Sequence, residues 1–343
     1  MDTVKQDYPW EIQDVEPNLA GELAKYFRNE HKNYIRVGPK GYFFPQTFKD
    51  EAVNIYNMQI RASDVFVASY PRSGSTLTRE LVWIVANDWD FEKSVTIPLV
   101  GRFMFLEFPT LVHPELIDRI MSETKEETKM NLIQMITQPG TTRLSNAASP
   151  RFIYTHLALS LLPPSLMETG KVVYVARDPR DVVVSFYHMN RLHRLLGYIG
   201  DMKTFWNFFM QNSIYWTPYF ENVKEAWAMR HHTNMLFLFY EDMVQDLPSV
   251  IRRVASFLNK PCLEDKVARL TKHLSIDSFR KNKAVNYEIM DELGLLNDGE
   301  QPYIRKGKAG GWRDYFDEEM TQQAKKWIAD NLRDTDLRFP THK

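Results

Sequence analysis

Short apolar runs of strand length alternate along this chain with longer stretches whose apolar residues return at helical spacing. Val65, Phe66, Val67 and Ala68 form one such run, Val172 to Ala176 another. The pattern predicts strands over 64–70, 151–155, 171–176 and 235–240. After the first strand, Leu77, Leu81, Ile84 and Val85 predict a helix over 76–87. Further helices are expected over 180–194, at several places within 203–229, and near 247–259, 264–273 and 318–332. Strands alternating with helices argue for an α/β fold, a central parallel sheet with helices on both faces. No Gly/Ser-rich or Pro-rich linker divides the 343 residues, so one domain over 1–343 is expected. Residues 98–150 interrupt the alternation with a long connection containing the charged, amphipathic helical stretch HPELIDRIMSETKEETKMNLIQMI. It reads either as a lid over a pocket or as a surface excursion.

The junction between the first strand and its helix carries the most specific chemistry. Pro71 and Gly74 break regular structure, and Ser75 or Thr76 supplies a hydroxyl to cap the helix. A loop entering a helix there turns unpaired N–H groups and the positive dipole end toward one spot, which favours phosphate or sulfate. An ordinary capped strand–turn–helix connection fits the same residues. A nucleoside-triphosphate P-loop fits less well: the GxxxxGK[ST] spacing is missing, Arg72 precedes the loop's only glycine, and no apolar strand ends in a lone metal-binding Asp. A second junction, VVYVARDPRDVVVSFYHM, puts Arg177 at a strand's carboxyl end, where open α/β sheets bind ligands. Asp178 and Pro179 form an Ncap–N1 pair, and Ser185 lies about two helical turns further on, placed to turn inward. Taken alone, that segment is equally a salt-bridged helix start.

Together the two junctions resemble the cytosolic sulfotransferases, enzymes that use 3′-phosphoadenosine-5′-phosphosulfate (PAPS, leaving PAP as product). The family's YPKSGTTW stands here as YPRSGSTL (Tyr70–Leu77), and its YVxRNxKDVxVSxYH as YVARDPRDVVVSFYH (Tyr174–His188). Its RKGxxGDWK appears as RKGKAGGWR (Arg305–Arg313), and its catalytic THLP segment within YTHLAL (Tyr154–Leu159). The motifs keep the family's order and spacing, over a core from about residue 40 to about residue 335. Insect members, a retinol dehydratase among them, look similar in carrying an extended segment at 98–150.

The resemblance implies a P-loop-like strand–loop–helix that binds the 5′-phosphosulfate, with Ser73, Gly74, Ser75 and Thr76 wrapped around it. It makes His156 the base for the acceptor hydroxyl and gives Arg72 the leaving phosphate, where the family has lysine; Ser185 completes the catalytic set. Arg177, Ser185, Arg305, Lys306 and Gly307 are expected at the 3′-phosphate. Tyr240, Leu274, Ser275, Ile276 and Phe279 are expected around adenine, with Leu77 where the family stacks a tryptophan. Tyr154 replaces a lysine that lies by the acceptor and reacting groups. Phe43, Phe44, Phe103, Phe105, Phe108 and Tyr187 are expected to wall an acceptor pocket for a flat or hydrophobic alcohol or phenol, such as a steroid, an ecdysteroid or a retinoid. No metal is assigned, since His231 and His232 are adjacent and lack chelating spacing. The expected reaction is sulfuryl transfer to a small lipophilic hydroxyl. Alternatives are a dehydratase acting through an unstable sulfate ester, and a catalytically weak PAPS/PAP-binding protein, because the lysines at 72 and 154 are both replaced.

A formal net charge of −1 supplies no global field toward nucleic acid or an anionic membrane. Attraction for a polyanionic cofactor is therefore expected to be local, from Arg72, Arg177, Arg305 and Lys306. The single cysteine, Cys262, excludes an intrachain disulfide and fits a reducing compartment. MDTVKQDYPWEIQ lacks the apolar core and basic preface of a secretory signal, and no stretch approaches the roughly 18 apolar residues of a membrane span. A cytoplasmic protein is the expectation, with no nucleic-acid or membrane partner. The family's dimer segment KxxxTVxxxE is missing after WRDYFDEEM, so a monomer or a different dimer is expected.

Overall fold

Period-two alternation sorts the central strands' side chains onto two cores. The computed structural model describes residues 7–341 and contains eight strands: β1 (Ile12–Asp14), β2 (Tyr34–Val37), β3 (Tyr42–Pro45), β4 (Val65–Ala68), β5 (Met104–Phe105), β6 (Phe152–Thr155), β7 (Lys171–Ala176) and β8 (Met235–Phe239). The last five form a parallel sheet in the order β5-β6-β4-β7-β8. Phe66 and Ala68 of β4, with Val172, Tyr174 and Ala176 of β7, enter one core, packed by helices Pro179–Leu192, Met202–Met210, Tyr219–Ala228 and Glu318–Asn331. Val65 and Val67, with Val173 and Val175, enter the other, packed by helices Ser75–Ala86, Leu247–Phe257 and Glu264–His273. Both faces are covered, which is why these strands read as unbroken apolar runs.

The central strand β4 has β6 on one side and β7 on the other. The chain therefore runs to opposite sides of β4, and the crevice at the carboxyl ends of these three strands is a topological switch point. The loop after β4, His156 after β6 and Arg177 after β7 all open there.

Two features depart from the sequence reading. Strands β1, β2 and β3 form a separate antiparallel sheet that takes in Phe43 and Phe44. The charged stretch in 98–150 forms two helices, Pro114–Glu123 and Glu127–Thr137, with extended backbone at Thr124 and Glu126. A continuous helix would point Ile120 and Ile133 about 140° apart. The break lets both join a third cluster with Leu195, Met290, Leu293 and Leu295.

Candidate active site

Steric demands shape the loop after β4. Arg72 takes a left-handed φ of 66°, and Gly74 a φ of 112°. A Cβ at Gly74 would lie 2.7 Å from Cδ2 of Tyr240, so only glycine lets the loop approach that ring. The sequence reading had Ser75 or Thr76 capping the helix; instead Gly74 is the N-cap, with no side-chain cap bond. The Thr76 hydroxyl is directed elsewhere, its Oγ1 lying 2.8 Å from the Tyr303 hydroxyl. The first-turn N–H groups are thus left to a ligand, with the helix dipole behind them. Ser73 Oγ is buried with no partner among the described residues, a further donor aimed at nothing the chain itself supplies.

Cations converge on this loop. Arg72 donates through Nε to Ser185 Oγ at 3.0 Å and through Nη2 to the Tyr303 carbonyl at 2.8 Å, its guanidinium 4.4 Å from the Tyr303 ring centre. Arg177 donates to the carbonyls of Arg72 (3.2 Å) and Lys308 (3.1 Å) and lies over the Tyr240 ring. The buried Asp181 carboxylate accepts from the backbone N–H groups of Gly310 (2.6 Å) and Trp312 (2.9 Å), tying the Arg305–Arg313 segment to helix Pro179–Leu192. Arg305 donates to Gln301 (2.7 Å) and to the Tyr315 hydroxyl (2.8 Å), whereas Lys306 pairs with Asp314 at 2.5 Å. Gly307 has a φ of 63°, and a Cβ there would meet Ile276 at 2.6 Å.

His156 stands across the crevice. Its Nδ1 lies 2.8 Å from the Ser69 carbonyl. A carbonyl only accepts, so Nδ1 carries the hydrogen and Nε2 keeps its lone pair. Burial, with the positive charges of Arg79 and Arg72, pushes the imidazole down to about 3, so it is neutral at physiological pH. The buried Glu107 carboxylate holds the main chain here, accepting from His156 N (2.7 Å), Thr155 Oγ1 (2.8 Å) and Trp216 Nε1 (3.1 Å). Burial raises that carboxyl to about 7.

One cavity of about 460 Å³ joins loop and imidazole. Of the residues expected at the cofactor, all but Ser73 line it, and so do His156, Tyr154 and Phe105 from the acceptor side. Phe43, Phe44, Phe103, Phe108 and Tyr187 do not. Phe43 packs between Tyr34 and Tyr215, and Phe44 stacks on Phe48 at 4.1 Å. Phe103 packs on Phe152, Tyr187 on Tyr198 and Phe205, and Phe108 joins the third cluster. None of residues 106–150 lines the cavity, so the charged helices stand back from its wall. Arg79, Asp181, Tyr287 and Tyr303 line it without having been expected; the two tyrosine rings stack with centres 3.5 Å apart. Glu107 was also missed, an acid in an apolar segment (FLEFP) with no local pattern to mark it. Among the described residues no group of three or more His, Cys, Asp and Glu is placed to hold a metal, and no helix is long and apolar enough to cross a membrane.

The profile of the sulfotransferase domain matches residues 62–336. Luciferin sulfotransferase of Photinus pyralis is 34% identical over 305 residues, spanning 87% of this chain and 80% of that protein. Among solved structures, a retinol dehydratase in complex with retinol and PAP superposes with a TM-score of 0.90 at 46% identity, covering 97% of this chain and 99% of the other. The same similarity holds for retinol dehydratase with androsterone and inactive cofactor PAP (TM-score 0.90, 46% identity, 97% and 98% covered). The matched stretch runs from before the loop at Tyr70 to beyond the glycines at 307–311, so both sides of the cavity fall within it, and the chain belongs to the sulfotransferase family.

Proposed function

We propose that this protein transfers a sulfuryl group from PAPS to the hydroxyl of a small lipophilic acceptor. The observation that carries the reading is the shared cavity: an uncapped, arginine-flanked helix start and an unprotonated His156 Nε2 open into one space. The cradle suits a polyanion, since among the described residues Arg72 pairs with no carboxylate and the helix start at Gly74 has no side-chain cap. PAPS supplies a sulfuryl group whose bond to the phosphate oxygen breaks as the bond to the acceptor oxygen forms, the electron pair leaving on phosphate. His156 Nε2 takes the acceptor's proton. Arg72 keeps a fixed positive charge by the loop where negative charge develops; a guanidinium there stabilises rather than protonates. Arg177, Ser185, Arg305, Lys306 and Gly307 hold the 3′-phosphate, and Tyr240, Leu274, Ser275, Ile276 and Phe279 the adenine, with Leu77 beside it.

Likeness to a retinol dehydratase at 46% identity favours a second net outcome, in which the sulfate ester eliminates to an alkene. The test incubates phenols, steroids, ecdysteroids and retinoids with sulfur-labelled PAPS and follows both labelled esters and dehydrated products. Ester accumulation supports transfer; PAPS-dependent loss of water with free sulfate supports the dehydratase; neither product from any acceptor overturns the reading.

Two further results are expected. Arg305→Ala should weaken PAP about ten- to hundredfold while leaving adenosine 5′-phosphate within about twofold, the loss of a charge-assisted phosphate bond. Equal weakening in calorimetric titrations would place Arg305 away from the 3′-phosphate. The His156 Cε1–H resonance should stay at its neutral position as pH falls from about 8 to about 5, because burial disfavours the cation and holds its titration near 3. An inflection between about 6 and 7 would contradict that.

A further inference from the structure

Among the described residues three arginines are buried, and they are not alike. Arg102 pairs with Glu80 at 2.6 Å, and Arg151 pairs with Asp64. Arg79, 1% exposed, has no carboxylate within ion-pair distance among the described residues. A guanidinium taken out of water without a counter-charge is costly. Arg79 has only weak internal compensation: Nε lies 3.4 Å from the Ser75 carbonyl, Nη2 lies 3.3 Å from Thr76 Oγ1, and the group rests 3.8 Å from the Tyr154 ring centre. Burial raises the Tyr154 hydroxyl's pKa, so that side chain offers a neutral π-face and no negative charge.

Its place explains what would complete it. Arg79 lies one helical turn after Ser75, on the helix that the phosphate-type loop enters, and it lines the shared cavity. Its guanidinium touches Thr76 of the loop and rests on Tyr154, whose ring centre is 5.9 Å from that of His156. Arg79 thus sits between the loop that would hold the anhydride and the imidazole that would face the acceptor.

We propose that Arg79 is a catalytic residue that binds the oxygens of the sulfuryl group, supplying the cation that Tyr154 does not. This rests on the PAPS-dependent reading above. Arg72 serves the phosphate side and Arg79 the sulfuryl side, so the two are separable. Tyr154 acts as a positioning residue, its ring holding the guanidinium flat.

The test compares PAPS with PAP, which lacks the sulfuryl group, by calorimetric titration without acceptor. Arg79→Met keeps the unbranched stem and removes the charge; it should weaken PAPS about ten- to hundredfold and leave PAP within about twofold. Arg79→Lys should recover part of the difference, with Tm recorded for both. Loss of affinity for both nucleotides alike, or for neither, overturns the proposal. Should Arg79→Met fail to fold, Arg79→Lys decides alone: unchanged PAPS and PAP affinities with lowered Tm make the residue structural, and selective loss of PAPS supports the assignment. Wild-type protein that binds neither nucleotide sinks the functional reading itself, a result distinguishable from normal binding without Arg79 dependence.

Discussion

Replacing His156 by alanine should lower kcat about 10²- to 10⁴-fold, the usual worth of a positioned general base, and leave PAP affinity within about twofold. The asymmetry follows from the site: the imidazole faces the cavity from the end of β6, while the loop and the 305–313 segment approach from elsewhere. A structural role makes a different prediction. His156 is 5% exposed and its Nδ1–H is bonded to Ser69 O, so removing it also leaves a carbonyl unpaired and lowers Tm. His156→Asn separates the two, since it retains a donor for that carbonyl and loses the basic nitrogen. Stability recovered with turnover still lost identifies the base. Turnover recovered by asparagine would remove the assignment.

The second large effect concerns Arg72. Arg72→Ala should reduce kcat/KM about 10²- to 10³-fold, comparable with losing a preorganised donor to developing negative charge. Arg72→Lys should stay within about tenfold, keeping the charge but losing the fork that spans Ser185 Oγ and the Tyr303 carbonyl. Both replacements must adopt the left-handed backbone at φ 66°, as arginine already does, so strain does not distinguish them. Had the guanidinium paired with a carboxylate, alanine would have cost mainly stability. No such pair is present among the described residues, and the bonds it makes are to a hydroxyl, a carbonyl and the Met189 sulfur, all neutral. An alanine variant with near-normal turnover and lowered Tm would refute the electrostatic role.

The parts legible in the sequence share a physical cause. Strands buried on both faces read as unbroken apolar runs, so β4, β7 and β8 fall within their expected bounds, and the cap expected at Asp178 stands at its helix start. Strands β1 to β3 escaped because they are short and lack a clean alternation: Ile12–Asp14 has one half-buried residue and two exposed ones, and Tyr42–Pro45 is buried throughout and reads simply as aromatic. The same ambiguity took Phe43 and Phe44 toward the acceptor pocket, since no local pattern separates an aromatic that packs on Tyr34 or Phe48 from one that lines a cavity. Arg79 is a sharper case. On a helix whose apolar stripe was drawn through Leu77, Leu81 and Ile84, a charged residue at 79 reads as the wet face, yet this helix is buried nearly all round. Glu107 and Asp181 act through backbone amides distant in sequence, a relation no spacing rule expresses.

The bond from Arg72 to the Tyr303 carbonyl spans 231 residues of chain, and that from Gly310 to Asp181 spans 129. During synthesis, Tyr70–Thr76 leaves the ribosome long before its partners in 303–312 exist. A nascent chain that has not reached Tyr303 carries Arg72 and Arg177 without the carbonyls of Tyr303 and Lys308 that hold them, and without Arg305 to close the cavity. A ligand held by these groups meets its complete set only once residues 303–312 have docked, so by mass action it stabilises that docking together with the rest of the fold.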